Sequence, residues 1–111
     1  MDKSLAVLSF VYTMKRMEIF ISRKIQEKLD HKHGGVSMSD IRECFANRDG
    51  KFLRDTRANH QTNPPTQWFI AETNFGRELK IAFLERDGNI HIKTAYEPND
   101  DEHRAYTRGN K

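Results

Sequence analysis

From Lys51 to Tyr96 apolar and polar positions tend to alternate with a period of two, while the segments on either side repeat their apolar residues at helical spacing. Before that stretch, Ile25 and Leu29 lie four apart behind Ser22, a good N-cap, and Gly34 can take the left-handed position after a last turn. A first helix is therefore expected over residues 23–33, with 18–21 as a short strand or lead-in. Gly34-Gly35 forms a turn. Ser37 with Asp40 resembles a capping box, Ile41 and Phe45 repeat at i, i+4 beside Cys44, and Asp49-Gly50 ends this second helix.

Four strands are expected next, over 51–57, 67–73, 78–86 and 89–96. Pro64-Pro65 bars the intervening residues 58–66 from both helix and central strand. Asn74-Phe75-Gly76 and Asp87-Gly88 break the later strands, and Asp-Gly is a strong two-residue hairpin signal. Pro98-Asn99 stops the sheet. Asn99 can cap a last helix whose first turn carries Asp100, Asp101 and Glu102, as the helix dipole prefers, and which ends near Gly109. The expected fold is α+β: two N-terminal helices, a four-stranded antiparallel meander and a short C-terminal helix, forming one domain over 17–111.

The hairpin turn implies a register. If Arg86 faces Asn89, then Phe83 faces Ile92, Ile81 faces Thr94 and Leu79 faces Tyr96, a mostly apolar face. Leu84–His91, Ala82–Lys93 and Lys80–Ala95 then share the opposite face, where Lys80 and Lys93 are diagonal neighbours. Two adjacent lysines repel unless an anion such as a phosphate lies between them. The plain alternative is that both point to water.

Residues 5–12 (LAVLSFVY) are apolar, but eight residues fall far short of the roughly 20 of a membrane span. Asp2 and Lys15-Arg16 are the wrong flanks for a signal peptide. Residues 1–16 are read as an N-terminal extension: an upstream start, an added strand or a disordered arm. Cys44 is the one cysteine, which excludes an intramolecular disulfide and a cysteine-rich zinc site and suits a cytoplasmic protein. Net charge is +3, and the excess sits in residues 1–60, with 12 Lys+Arg against 8 Asp+Glu. That imbalance points to an anionic partner, nucleic acid or acidic protein, or to a mildly basic solvated surface.

Several short motifs occur in a telling order. Lys32-His33-Gly34-Gly35-Val36-Ser37 is followed by His60 ahead of Trp68-Phe69-Ile70, then by Gly76-Arg77 with Leu79, and last by Thr94-Ala95 through Glu102 to Tyr106. Over residues 19–106 the chain thereby resembles the BrnT-type toxins of bacterial toxin–antitoxin pairs, whose fold is related to the RelE ribonucleases. Tyr96 stands where that family usually carries arginine, the loop holding Pro64-Pro65 is longer, and residues 1–16 have no counterpart. The resemblance implies a small ribonuclease toxin with no cofactor. Its partners would be RNA and a cognate antitoxin protein, assembled as a homodimer or a toxin–antitoxin heterotetramer.

Metal-free RNA cleavage needs a base for the 2′-hydroxyl, cations for the phosphorane and an acid for the leaving oxygen. His60 is the expected acid or base, since imidazole exchanges protons near neutrality. Arg57, Arg77, Lys80 and Lys93 are expected phosphate clamps. Tyr96 could hydrogen-bond the transition state or stack on a base, and Trp68 and His91 are expected RNA contacts. Of Trp68 and Phe69, which straddle a strand, one is expected in the core. His31 and His33 point to different helix faces, and no metal site is expected. The alternative function is a catalytically inactive binding module of the same fold that blocks a protein target.

Overall fold

The structure is a computed structural model that describes residues 18–31 and 34–111. The expected N-terminal extension, and Lys32 and His33 of the glycine turn, lie outside the described residues.

Strand β1 (Ile19–Phe20) leads into α1 (Arg23–Asp30) and α2 (Met38–Asn47). Strand β2 (Leu53–Arg54), a 3-10 turn (Ala58–His60), and strands β3 (Gln67–Glu72), β4 (Glu78–Arg86) and β5 (Asn89–Tyr96) follow, and α3 (Asp100–Gly109) closes the chain. The class is α+β, but the sheet is not a four-stranded antiparallel meander. Among the described residues it has five strands in the order β1-β5-β4-β3-β2, and β1 runs parallel to β5. The lead-in residues thus become an edge strand, tied through Ile90 N–H to Glu18 carbonyl at 2.8 Å. The strand expected over 51–57 shrinks to two residues paired with Gln67 and Trp68.

Local chemistry sets the helix limits. Ser22 and Ser37 cap α1 and α2, and Ser37 and Asp40 form the reciprocal capping box. Helix α1 ends three residues earlier than expected, with His31 as its C-cap. The chain then turns through Gly34 and Gly35, both at positive φ, until Val36 N–H reaches back to Leu29 carbonyl at 3.1 Å. Asp87 (φ 56°) and Gly88 (φ 80°) make the hairpin turn, both left-handed as a primed two-residue turn requires.

One sheet face carries the core. Leu29 of α1 and Ile41 and Cys44 of α2 bury against Phe69, Leu79, Ile81, Phe83, Ile92 and Ala95. Phe45 meets Phe69 edge-on at 4.7 Å and Phe83 at 5.4 Å, the T-shaped geometry that ring quadrupoles favour.

The expected register fails at one point. Phe83 pairs with Ile92 as anticipated, but Ala82 pairs with Thr94, Ile81 with Ala95 and Lys80 with Tyr96. Lys93 is an extra residue without a partner, a β-bulge. Because strand side chains alternate with period two, one extra residue exchanges the faces of everything beyond it. Ala95 enters the core fully buried, while Thr94 and Tyr96 move to the Lys80 face. Lys80 and Lys93 are therefore not diagonal neighbours on one ladder, and Tyr96 is not on the apolar side.

The second face carries Trp68, Ile70, Lys80, Ala82 and Thr94, covered partly by α3 and partly by the loop between β2 and β3. Trp68 packs on Tyr106 of α3 at 5.4 Å. Side chains meet the backbone at the outer edge of β3 and just before the short β2. The Tyr106 hydroxyl donates to Lys51 carbonyl at 2.7 Å, and Asn47 Nδ2 donates to Glu72 carbonyl at 2.9 Å. No helix among the described residues is long and apolar enough to cross a membrane.

Candidate functional site

The bulge brings Tyr96, Lys80 and Glu102 together. Asn99 caps α3, and Glu102 answers as the third residue of the capping box, its Oε1 accepting from Asn99 N–H at 3.0 Å. That geometry turns the carboxylate back toward the sheet. Its Oε2 accepts from the Tyr96 hydroxyl at 2.6 Å and from Lys80 Nζ at 3.1 Å. The Lys80 ammonium also lies 4.6 Å from the Trp68 ring centre and 5.7 Å from that of Tyr96, within cation–π range. Its side chain is only 11% exposed.

Electrostatics follow from this packing. Burial works against the Glu102 charge, but hydrogen bonds from Tyr96, the Asn99 amide and Lys80 outweigh it and hold the carboxyl below its ordinary range. Burial, reinforced by the Glu102 contact, pushes the Tyr96 phenol up to about 12. Tyr96 is thus a hydrogen-bond donor at neutral pH and cannot serve as a base.

A second ion pair stands beside this one. Arg57 grips Asp55 bidentately, Nε to Oδ1 at 3.0 Å and the terminal nitrogen to Oδ2 at 2.7 Å. That bond, opposed by partial burial and helped by the Arg57 amide, holds Asp55 low. The Arg57 side chain is 62% exposed, so three of a guanidinium's five N–H groups remain for another acceptor.

Asp55 and Arg57 form a wall shared by two clefts of about 400 Å³ each. In the first, Arg54, Arg57 and Lys80 are matched by Asp55, Asp101 and Glu102, and Trp68 supplies an aromatic wall. In the second, Lys28, Arg57 and Lys93 face a single carboxylate, Asp55, with His60 and the threonines 62, 66 and 94 completing a polar lining. This second cleft is basic. His60 sits at the end of the exposed 3-10 turn, and its imidazole hydrogen-bonds no other described side chain.

The expected site residues thus fall into two neighbouring groups: His60, Arg57 and Lys93 in the basic cleft, and Lys80, Tyr96 and Trp68 beside the matched one. Two lie elsewhere. Arg77 donates to Gly35 carbonyl at 2.7 Å and pairs with Glu97 at 2.9 Å, binding the turn between the helices to the end of the sheet. His91 stacks on Phe20 of β1 at 5.3 Å and lines neither cleft. Trp68 and Phe69 divide as expected, with Phe69 wholly buried. The thiol of Cys44 is wholly buried in the core, and burial, aided by Asp40 and Glu43, pushes it up to about 12. No group of three His, Cys, Asp or Glu side chains placed to hold a metal occurs among the described residues.

The roles of Asp55, Glu102 and Lys28 were not anticipated. Asp55 and Arg57, two apart, offered a weak signal. The capping pattern from Asn99 to Glu102 offered a better one, since it fixes where that carboxylate points.

The fold and the clefts define an α+β domain with a mixed sheet, one face closed by two helices and the other bearing a basic, polar cleft. Comparison with protein-family models, with curated proteins and with solved structures finds no match.

Proposed function

We propose that this protein is a small ribonuclease, the toxin of a toxin–antitoxin pair, which cleaves cytoplasmic RNA by acid/base chemistry and phosphate clamping. The observation that carries the reading is the lining of the basic cleft. It holds His60, Arg57 and Lys93 together, with more cations than carboxylates. His60 carries the proton to or from the ribose or the leaving oxygen. Arg57 turns its free N–H groups to the phosphorane, and Lys93 adds charge beside it. Lys80 and Tyr96 hold the adjoining wall through Glu102, and Trp68 offers a surface on which a neighbouring base can stack.

The test is pure protein incubated with total RNA, with and without EDTA, together with expression in cells lacking an antitoxin. Cleavage insensitive to EDTA and growth arrest are expected, and both should be lost in His60→Ala and reduced in Lys80→Ala. Intact RNA and normal growth would overturn the reading.

One observation favours a second reading, a binding module without catalysis. Lys80 and Tyr96 are both satisfied by Glu102, and Arg57 by Asp55, so much of the positive charge is already matched. That reading predicts tight binding of an antitoxin or other protein target with no RNA cleavage.

A further inference from the structure

Helix α1 supplies a cation that the proposed chemistry does not use. Lys28 lies in the last turn of α1, which packs against β5 from the core side of the sheet, yet its side chain lines the basic cleft with Lys93. A lysine at a helix C-terminus is ordinarily explained by the helix dipole. That explanation does not account for its place in this cleft. Arg57, Lys80 and Arg104 each have a carboxylate partner, whereas Lys28 has none among the described residues. Among the described residues its charge is therefore unmatched, and it lies at the cleft. The cleft, at about 400 Å³, also has the volume of a site for a nucleotide-sized ligand rather than for one phosphate group.

We infer that Lys28 is a phosphate-binding residue of this cleft and holds a backbone phosphate adjacent to the one beside Arg57 and His60. The protein then grips single-stranded RNA by at least two phosphates, one set by the loop between β2 and β3 and one by α1. Lys28 takes no part in proton transfer, so it affects affinity rather than chemistry. This inference rests on the RNA reading of the cleft but not on cleavage.

The test uses the full chain and a six-nucleotide oligoribonucleotide with 2′-O-methyl sugars, which cannot be cut through the 2′-oxygen. Binding is measured against salt concentration for the native protein, Lys28→Gln and Lys28→Arg. Loss of one single-strand phosphate contact should lower the slope of log affinity against log salt by about 0.7, or about fivefold in affinity per tenfold change in salt. Lys28→Arg should restore the slope, and thermal melting should be the same in all three, since a purely helix-dipole role would move melting and leave the slope alone. An unchanged slope and affinity in Lys28→Gln overturns the inference even if the native protein cleaves RNA. A native protein that binds but never cleaves, with the slope lowered in Lys28→Gln, upholds Lys28 and removes the ribonuclease reading. If the native protein does not bind the oligonucleotide at all, both fall.

Discussion

The Tyr96 hydroxyl donates to Glu102 Oε2 at 2.6 Å, and the two residues meet because Lys93 bulges out of β5 and turns Tyr96 to the α3 side of the sheet. The same carboxylate caps α3 and neutralises Lys80. Helix docking, ion pairing and the wall of the first cleft therefore depend on one side chain.

Glu102→Gln should keep the cap and the Tyr96 contact in weaker form but leave the nearly enclosed Lys80 ammonium without a counter-charge. A loss of about 1–3 kcal/mol at neutral pH is expected, read as a shift in urea midpoint with an unchanged slope. A midpoint equal to that of the native protein would contradict this account of Glu102.

Stability should also fall in acid, with a definite sign. Glu102 and Asp55 are held below their ordinary values of 4.5 and 3.8. Their contributions are complete above those values and disappear as pH falls through the lower folded values. Urea denaturation at a series of pH values should show this limb below about pH 4.5, and Glu102→Gln should flatten it.

Deleting Lys93 should be tolerated almost as well as replacing it. Lys93→Ala removes an exposed side chain and should change stability by no more than about 0.5 kcal/mol. Deletion removes the one extra residue and leaves Ala82 opposite Thr94, Ile81 opposite Ala95 and Lys80 opposite Tyr96 in a regular ladder, so the faces are kept and a cost of no more than about 1 kcal/mol is expected. Thermal melts of the two variants make the comparison, and a deletion variant that melts far below Lys93→Ala would contradict this register.

If the proposed ribonuclease activity holds, His60→Ala should leave folding untouched, because the residue is exposed on its turn, and reduce RNA cleavage by about 10²–10⁴-fold. A fragment ladder from total RNA measures it. Activity within a few-fold of the native protein would take His60 out of the chemistry.

Gly109→Ala reverses the usual helix preference. Alanine normally stabilises a helix relative to glycine by about 1 kcal/mol, but a methyl group here would collide with the Leu53 side chain. A net destabilisation is expected in thermal melts, and a raised melting temperature would show that Leu53 yields freely.

Much of the fold could be read from the chain because its signals are local. Glu78–Arg86 and Asn89–Tyr96 form strands with the expected limits, since the Asp87-Gly88 turn pins both. The caps at Ser22, Ser37 and Asn99 are where their side chains dictated. What escaped were choices made by tertiary packing. Residues 19–20 pair in parallel with a strand some seventy positions away, which no local pattern encodes. The run from Ile92 to Tyr96 fits two registers, and burial of the small Ala95 beside Ile81 selects the bulged one. Gathering His60, Arg57 and Lys93 into a cleft required the loop over residues 55–66 to fold back on the sheet, and the reach of Lys28 into it depends on how α1 packs.

The Asn47 amide already occupies the Glu72 carbonyl, which removes one acceptor that a foreign strand would use on that side of the sheet. Crowded copies of the protein therefore meet a β3 edge with one acceptor already taken and the exposed, charged Glu72 side chain beside it, two obstacles to fibrillar growth.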